Sequence, residues 1–352
     1  MLTQLPPDVM IEVMRQTGQE DRIACMTASK ALSHAALLPA VWDSVTFREL
    51  DRSALNFLMG HPCPHVRIES CRPDDVAWFL ATLADMGHGT VMRSLVIELG
   101  CVERVPDMLL EEVSRHSELR ELSIRAQEIK YGCEAGFAAD HQLTKLQRLR
   151  VVDDTPEGRQ LVVWFRGPKG FGALESVHFE VSMSDVGTCA GFMPQLRTLV
   201  YRFEPYGGEE LDDLLLAGCC FDLVELDVDA NTHCRRLFKQ LARASVQHLV
   251  LHLNDDHILL DRPMSPDMHT LTLDVCSDAV DIEIDFQTLQ EQHPRLGTLR
   301  VQLGGVLLGG DAMDAEHTLV FRHVPAVRDW LRFFTRVRLE TTPSTRVMIS
   351  PV

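Results

Sequence analysis

Lysine is scarce in this chain. Only Lys30, Lys130, Lys145, Lys169 and Lys239 stand among 34 basic residues, and arginine-favouring codon usage is the plain account of it. Cys-x-x-Cys spacing is missing although ten cysteines are present, and Cys219 and Cys220 are adjacent, too close to bridge easily. The paired spacing of a zinc or redox site is thereby excluded, and the thiols read as reduced, mostly buried groups of an intracellular protein. No basic segment followed by an apolar one precedes Leu5, so a secretory leader is not expected. The longest apolar runs, such as 214–220, are too short to cross a bilayer. Cytoplasm or nucleus is the expected location.

Signatures of chemistry are missing as well. No Gly-x-Ser-x-Gly elbow is present, and none of the fifteen histidines falls in a His-Glu-x-x-His arrangement. The glycine-rich stretch 167–172 lacks the Gly-Lys-Ser/Thr ending of a phosphate cradle. Asp227, Asp229 and Asn231 begin like a calcium loop, but Thr232 stands where glycine is needed and Phe238 where glutamate should close the shell. Asn254, Asp255, Asp256 and His257 have no second ligand pair at helical spacing. The chain is therefore not expected to be an enzyme, and no cofactor or metal is expected.

The net charge is −17, and residues 1–48 hold four basic and five acidic groups, so nearly all of the excess lies beyond them. Such a chain offers no basic face to nucleic acid or to an anionic membrane. Apolar residues make up 45% and charged ones 24%, which leaves room for a sizeable core.

What the sequence does have is a period. The pattern apolar-x-x-apolar-x-apolar occurs nine times, at Met92–Leu95–Ile97, Leu119–Leu122–Ile124, Leu146–Leu149–Val151, Leu174–Val177–Phe179 and Leu196–Leu199–Tyr201. It returns at Leu223–Leu226–Val228, Val246–Leu249–Leu251, Met268–Leu271–Leu273 and Leu296–Leu299–Val301. First positions lie 22 to 28 residues apart. The alternating end of each run predicts a strand with one buried face. Helical spacing follows in several intervals, as in Met108-Leu109-Val113, Leu211-Leu214-Leu215 and Leu237-Leu241. Trp42–Val45–Phe47 and Cys63–Val66–Ile68 are weaker copies, followed by a helical stretch from Asp75 to Met86. Beyond Gly304 the pattern dissolves into a glycine-rich loop, then strands at 318–324 and 336–340 around a helix at 326–334.

A strand and a returning segment every 20 to 29 residues resembles the leucine-rich repeat. The resemblance implies an α/β solenoid with parallel strands inside and helices outside, each coil burying its face against its neighbours. The family's turn residue, Asn or Cys, appears here as Asn231, Asn254 and Cys276.

The first forty residues differ in kind. Pro6, Pro7 and Asp8 suit a helix start, followed by apolar Val9, Ile11, Val13 and Met14 and, after a break at Thr17-Gly18, a second helical segment with Asp21 and Ile23. Leu5-Pro6, these apolar positions, Ser29-Lys30, Leu38-Pro39 and Trp42 together resemble the F-box. That resemblance implies docking on the adaptor subunit of an SCF-type cullin–RING ubiquitin ligase through Leu5, Pro6, Val9, Ile11, Val13 and Met14.

The expected organisation is an F-box over 1–48, degenerate joining repeats over 49–90, leucine-rich repeats over 91–303 and a C-terminal loop and cap over 304–352. The expected function is substrate recognition within the ligase, the repeats binding an unknown target protein. The alternative is a leucine-rich-repeat binding scaffold outside any ligase. Residues between the buried strand positions form two columns. The first runs Val96, Ser123, Arg150, His178, Val200, Asp227, Val250, Thr272 and Arg300; the second Glu98, Arg125, Val152, Glu180, Arg202, Asp229, His252, Asp274 and Gln302. Arg125, Arg150, Arg202, Asp227, Asp229, His252 and Asp274 are the candidate target-binding residues, basic early and acidic late, a polarity that could orient an extended peptide.

Overall fold

The computed structural model describes residues 6–28, 30–36, 38, 41–87, 91–105, 108–137, 143–155, 161–165, 171–184, 195–201, 218–228, 234–253, 257–259, 264–275, 281–283, 291–303, 317–322, 337–342 and 345–349. The chain is α/β and divides into two compact units, residues 1–173 and 174–352.

The first unit opens with three helices, α1 (Pro7–Gln16), α2 (Gln19–Ala28) and α3 (Lys30–Ala36). Proline in the first turn of α1 costs nothing, since the missing N–H would have no intrahelical partner. The helix stops at Thr17, whose hydroxyl donates to the Met14 carbonyl at 2.8 Å. Met10 and Met14, one turn apart, are buried, while Val9 and Val13 lie on the adjacent, exposed face.

Five parallel strands follow, paired in chain order: β1 (Ser44–Phe47), β2 (His65–Glu69), β3 (Ser94–Val102), β4 (Glu121–Ile129) and β5 (Arg148–Asp153). Helices α4 (Arg52–Gly60), α5 (Pro73–Asp85) and α6 (Met108–Ser114) return the chain between the first four. Asp51 caps α4 by accepting from the Ala54 N–H at 2.9 Å, and that bond holds its carboxyl below the usual range. The repeat register is visible in the pairing. Val45, Val66 and Leu95 stand side by side, then Leu122 and Leu149 in turn, so the two weak copies belong to the same ladder as the strong ones. All five side chains are buried, each contributing roughly 1.5–3 kcal/mol by leaving water.

One expectation needs correcting here. Helices do not return the chain throughout: the segment after β4 forms a strand, Cys133–Phe137, parallel to Leu161–Phe165 after β5. Gly132 and Gly136 disfavour a helix there.

The second unit repeats the plan with β6 (Ser176–Glu180), β7 (Thr198–Tyr201), β8 (Cys220–Val228), β9 (Ser245–Leu253), β10 (Thr270–Val275) and β11 (Thr298–Leu303), neighbours pairing parallel. Helix α7 (Cys234–Leu241) joins β8 to β9. β12 (His317–Arg322) ends the ladder antiparallel to β11. A small second sheet joins His257–Leu259, Asp281–Glu283, Thr345–Ile349 and Val337–Thr342. The expected helices at 211–215 and 326–334 and the loop beginning at Gly304 lie outside the described residues.

The register of β8 overturns the expected one. Leu199 pairs with Val224 and Tyr201 with Leu226, while Phe221 pairs with Val246. The buried triplet is thus Phe221–Val224–Leu226, two residues earlier than Leu223–Leu226–Val228. Phe221 is 1% exposed and Leu223 only partly covered. Leu196, Phe221 and Val246 now stand 25 residues apart, replacing the uneven 27 and 23.

A further buried position recurs three residues before the triplet. His116, Leu143, Phe171, Ser265 and His293 occupy it, and the carbonyls of His116, Leu143, Ser265 and His293 accept from the N–H of the leading triplet residue. This position closes the turn into the strand.

Candidate functional site

Two faces of the first unit and one of the second carry the candidate residues. On the helical segment, Val9 is 45% exposed, Val13 36% and Ile23 48%. Pro6 is exposed and Ile11 half-buried. Met14, expected among the docking residues, is only 2% exposed and belongs to the core, because its place on α1 faces inward with Met10. Leu5 lies outside the described residues, as do Ser29 and Pro39.

Behind that apolar face the helices are tied to the ladder by polar contacts. The side-chain amide of Gln19 donates to the Thr46 carbonyl and accepts from the Thr46 N–H, both at 2.7 Å. Arg22, 8% exposed, donates to the Val41 carbonyl at 2.7 Å and the Thr17 carbonyl at 3.0 Å. The Trp42 indole N–H donates to the Ala36 carbonyl at 2.6 Å, and its ring meets Phe57 edge-on at 4.7 Å.

The open strand face of the first unit is largely self-paired. Arg67 bonds Glu69 at 2.8 Å and Glu98 at 2.7 Å; Arg48 bonds Glu69 at 3.2 Å; Arg148 bonds Glu121 at 2.9 Å. Arg125 is engaged by Asp154. Arg150 is exposed and stands in register with Ser123. Exposed pairs of this kind contribute little to stability, about 0–1 kcal/mol each.

In the second unit the corrected register changes both columns. Glu225, not Asp227, stands between Val200 and Val250. Asp227 moves into the second column, beside His252, which stands beside Asp274 in turn. His252 Nε2 lies 2.8 Å from Glu225 Oε1, with both side chains largely covered. Glu225 escaped sequence reasoning because the chosen frame hid it, and even spacing was the signal that could have found it. Arg202, Asp229, Asn231, Asn254 and Cys276 lie outside the described residues.

The chain matches no protein-family model and no curated protein. Its chemistry must therefore be read from its own groups. Burial pushes the Cys63 thiol up to about 12 and raises those of Cys71 and Cys219; a bond to Glu128 raises that of exposed Cys101. These four thiols are held protonated at neutral pH, the wrong direction for nucleophiles. Among the described residues no group of three His, Cys, Asp or Glu could hold a metal ion, and no helix is long and apolar enough to cross a membrane.

Proposed function

We propose that the chain is a substrate-recognition subunit of an SCF-type cullin–RING ubiquitin ligase, an F-box followed by irregular leucine-rich repeats. The helical segment docks on the adaptor, and the strand ladder displays side chains to a target protein. The observation that carries this reading is the exposed set Val9, Val13 and Ile23, held on two short helices at the start of the chain. Val9 and Val13 lie one turn apart on one face of α1, an exposed apolar pair suited to an interaction, and all three residues fall on the segment with the F-box resemblance. Reaction chemistry belongs to the partner subunits. This chain contributes proximity, holding a target lysine near the charged ubiquitin carrier.

Co-purification with the adaptor tests the proposal, comparing the natural chain with Val9→Glu plus Val13→Glu. Charges at two exposed apolar positions should reduce adaptor recovery at least about tenfold, since each must be desolvated on docking. Equal recovery would leave the alternative, a binding scaffold outside any ligase. Nucleic acid and membrane are not proposed as partners.

A further inference from the structure

The first strand of the ladder has an edge with no strand beyond it among the described residues: β1 pairs with β2 on one side only. An open edge presents unpaired N–H and C=O groups and is ordinarily covered. Here the cover is a side chain. A primary amide carries one carbonyl and one N–H donor in the spacing of a peptide group, and Gln19 uses both on Thr46, at 2.7 Å each. One residue of α2 thus stands in for a neighbouring strand.

We infer that Gln19 is a clasp between the helical segment and the ladder, coupling whatever binds the exposed side of α1 and α2 to the order of β1. The inference rests on the docking proposed above for its partner, the adaptor, but the clasp itself does not. α1, α2 and α3 are each no longer than 10 residues, too short to be stable alone. Their order comes from packing: Met14 and Ala36 inside, Arg22 over the Trp42 ring at 5.1 Å, and the Gln19 clasp. Gln19 bonds the ladder and Arg22, one turn on, bonds the segment leading into it at Val41, whereas Ile23 is exposed. A partner gripping Val9, Val13 and Ile23 binds only the ordered helices. By linkage it stabilises that order, and with it the closed edge of β1. Adaptor docking and the integrity of the first coil are then two readings of one equilibrium.

Hydrogen exchange at the Thr46 amide of the full chain measures the clasp, with and without saturating purified adaptor. Gln19→Met keeps the bulk and removes both bonds, so Thr46 should exchange about tenfold faster, the scale of two lost hydrogen bonds. Adaptor bound to the natural chain should slow Thr46 exchange although Thr46 lies on the ladder side of α2. Unchanged exchange in Gln19→Met overturns the clasp. Adaptor that binds yet leaves Thr46 exchange as in the free chain overturns the coupling. If adaptor does not bind the natural chain while Gln19→Met still accelerates Thr46, the ligase reading and its coupling fall and the clasp stands.

Discussion

His293 is bonded on both ring nitrogens to the coil before it: Nδ1 lies 3.2 Å from the Ser265 carbonyl, and Nε2 lies 3.4 Å from the Met264 N–H. A carbonyl can only accept and an N–H can only donate, so the pair fixes one neutral tautomer, protonated at Nδ1. Ser265 continues the chain of contacts, its hydroxyl donating to the Ala244 carbonyl at 2.9 Å and accepting from the Val246 N–H at 2.7 Å. Three successive turns of the second unit are stitched through one buried polar line.

His293→Leu breaks that line and leaves the Met264 N–H without its partner in a buried place, while the Ser265 carbonyl keeps only the Met268 N–H. A loss of roughly 1–3 kcal/mol is expected at pH 7.5, the cost of stranding buried polar groups. The urea midpoint of unfolding measures it. Burial also lowers the His293 pKa, so the natural chain should lose stability as pH falls below the ordinary histidine range, and the variant should lose less.

His116 holds the same repeat position in the first unit and predicts the opposite outcome. It is fully buried, and neither ring nitrogen finds a partner at hydrogen-bonding geometry. Burial drives its pKa from 6.5 to about 4, against a smaller opposing influence from the Leu80 carbonyl. The unfolded chain binds this proton near 6.5 and the folded chain only near 4. Stability from His116 is therefore complete above pH 6.5 and lost as pH falls through that window, on the order of 3 kcal/mol in all. His116→Leu removes a buried polar ring whose nitrogens make no well-formed hydrogen bond, so at pH 7.5 it should be neutral or slightly stabilising. Subtracting the two unfolding free energies across pH 7 to 4 should reveal a slope from the natural chain alone. A flat difference, or a variant destabilised by several kcal/mol at pH 7.5, would contradict this account.

These two histidines also mark what the sequence leaves obscure. Alternation within the strands was legible, because one buried face forces period two, and Leu95, Leu122, Leu149, Val177 and Leu249 fall where that period puts them. The position three before the triplet was not legible: His, Leu, Phe and Ser share no hydropathy, and only the turn geometry unites them. Returns were legible where a helix had length, as in α5, and not after β4, where glycines decide. On the helical segment, Val9 and Met14 look alike as letters. The side of α1 each occupies depends on packing against α3, which lies further along the chain. Gln19 gave no signal, since a glutamine in a polar stretch ordinarily faces water.

The β8 register offers the sharpest check on the ladder as a whole. The stretch FDLVELDV contains two overlapping frames, Phe221–Val224–Leu226 and Leu223–Leu226–Val228. Leu226 serves both, so pattern alone cannot choose, but the frames predict different costs at the residues they do not share. In the observed register Phe221 is 1% exposed and points into the core, while Leu223 stands on the opposite face between Thr198 and His248. Phe221→Ala should then cost about 3–5 kcal/mol, the usual loss for a buried aromatic. Leu223→Ser, on the half-covered face, should cost under about 1 kcal/mol. Unfolding midpoints of the two variants measured together decide the matter, because the rejected frame reverses their order. The same choice fixes the columns: a core Phe221 puts Glu225 in register with Val250 and Asp227 with His252, whereas a core Leu223 would put Asp227 in the place of Glu225. Glu225→Gln should therefore change the NMR shifts of the His252 ring nitrogens, because Glu225 Oε1 lies 2.8 Å from His252 Nε2.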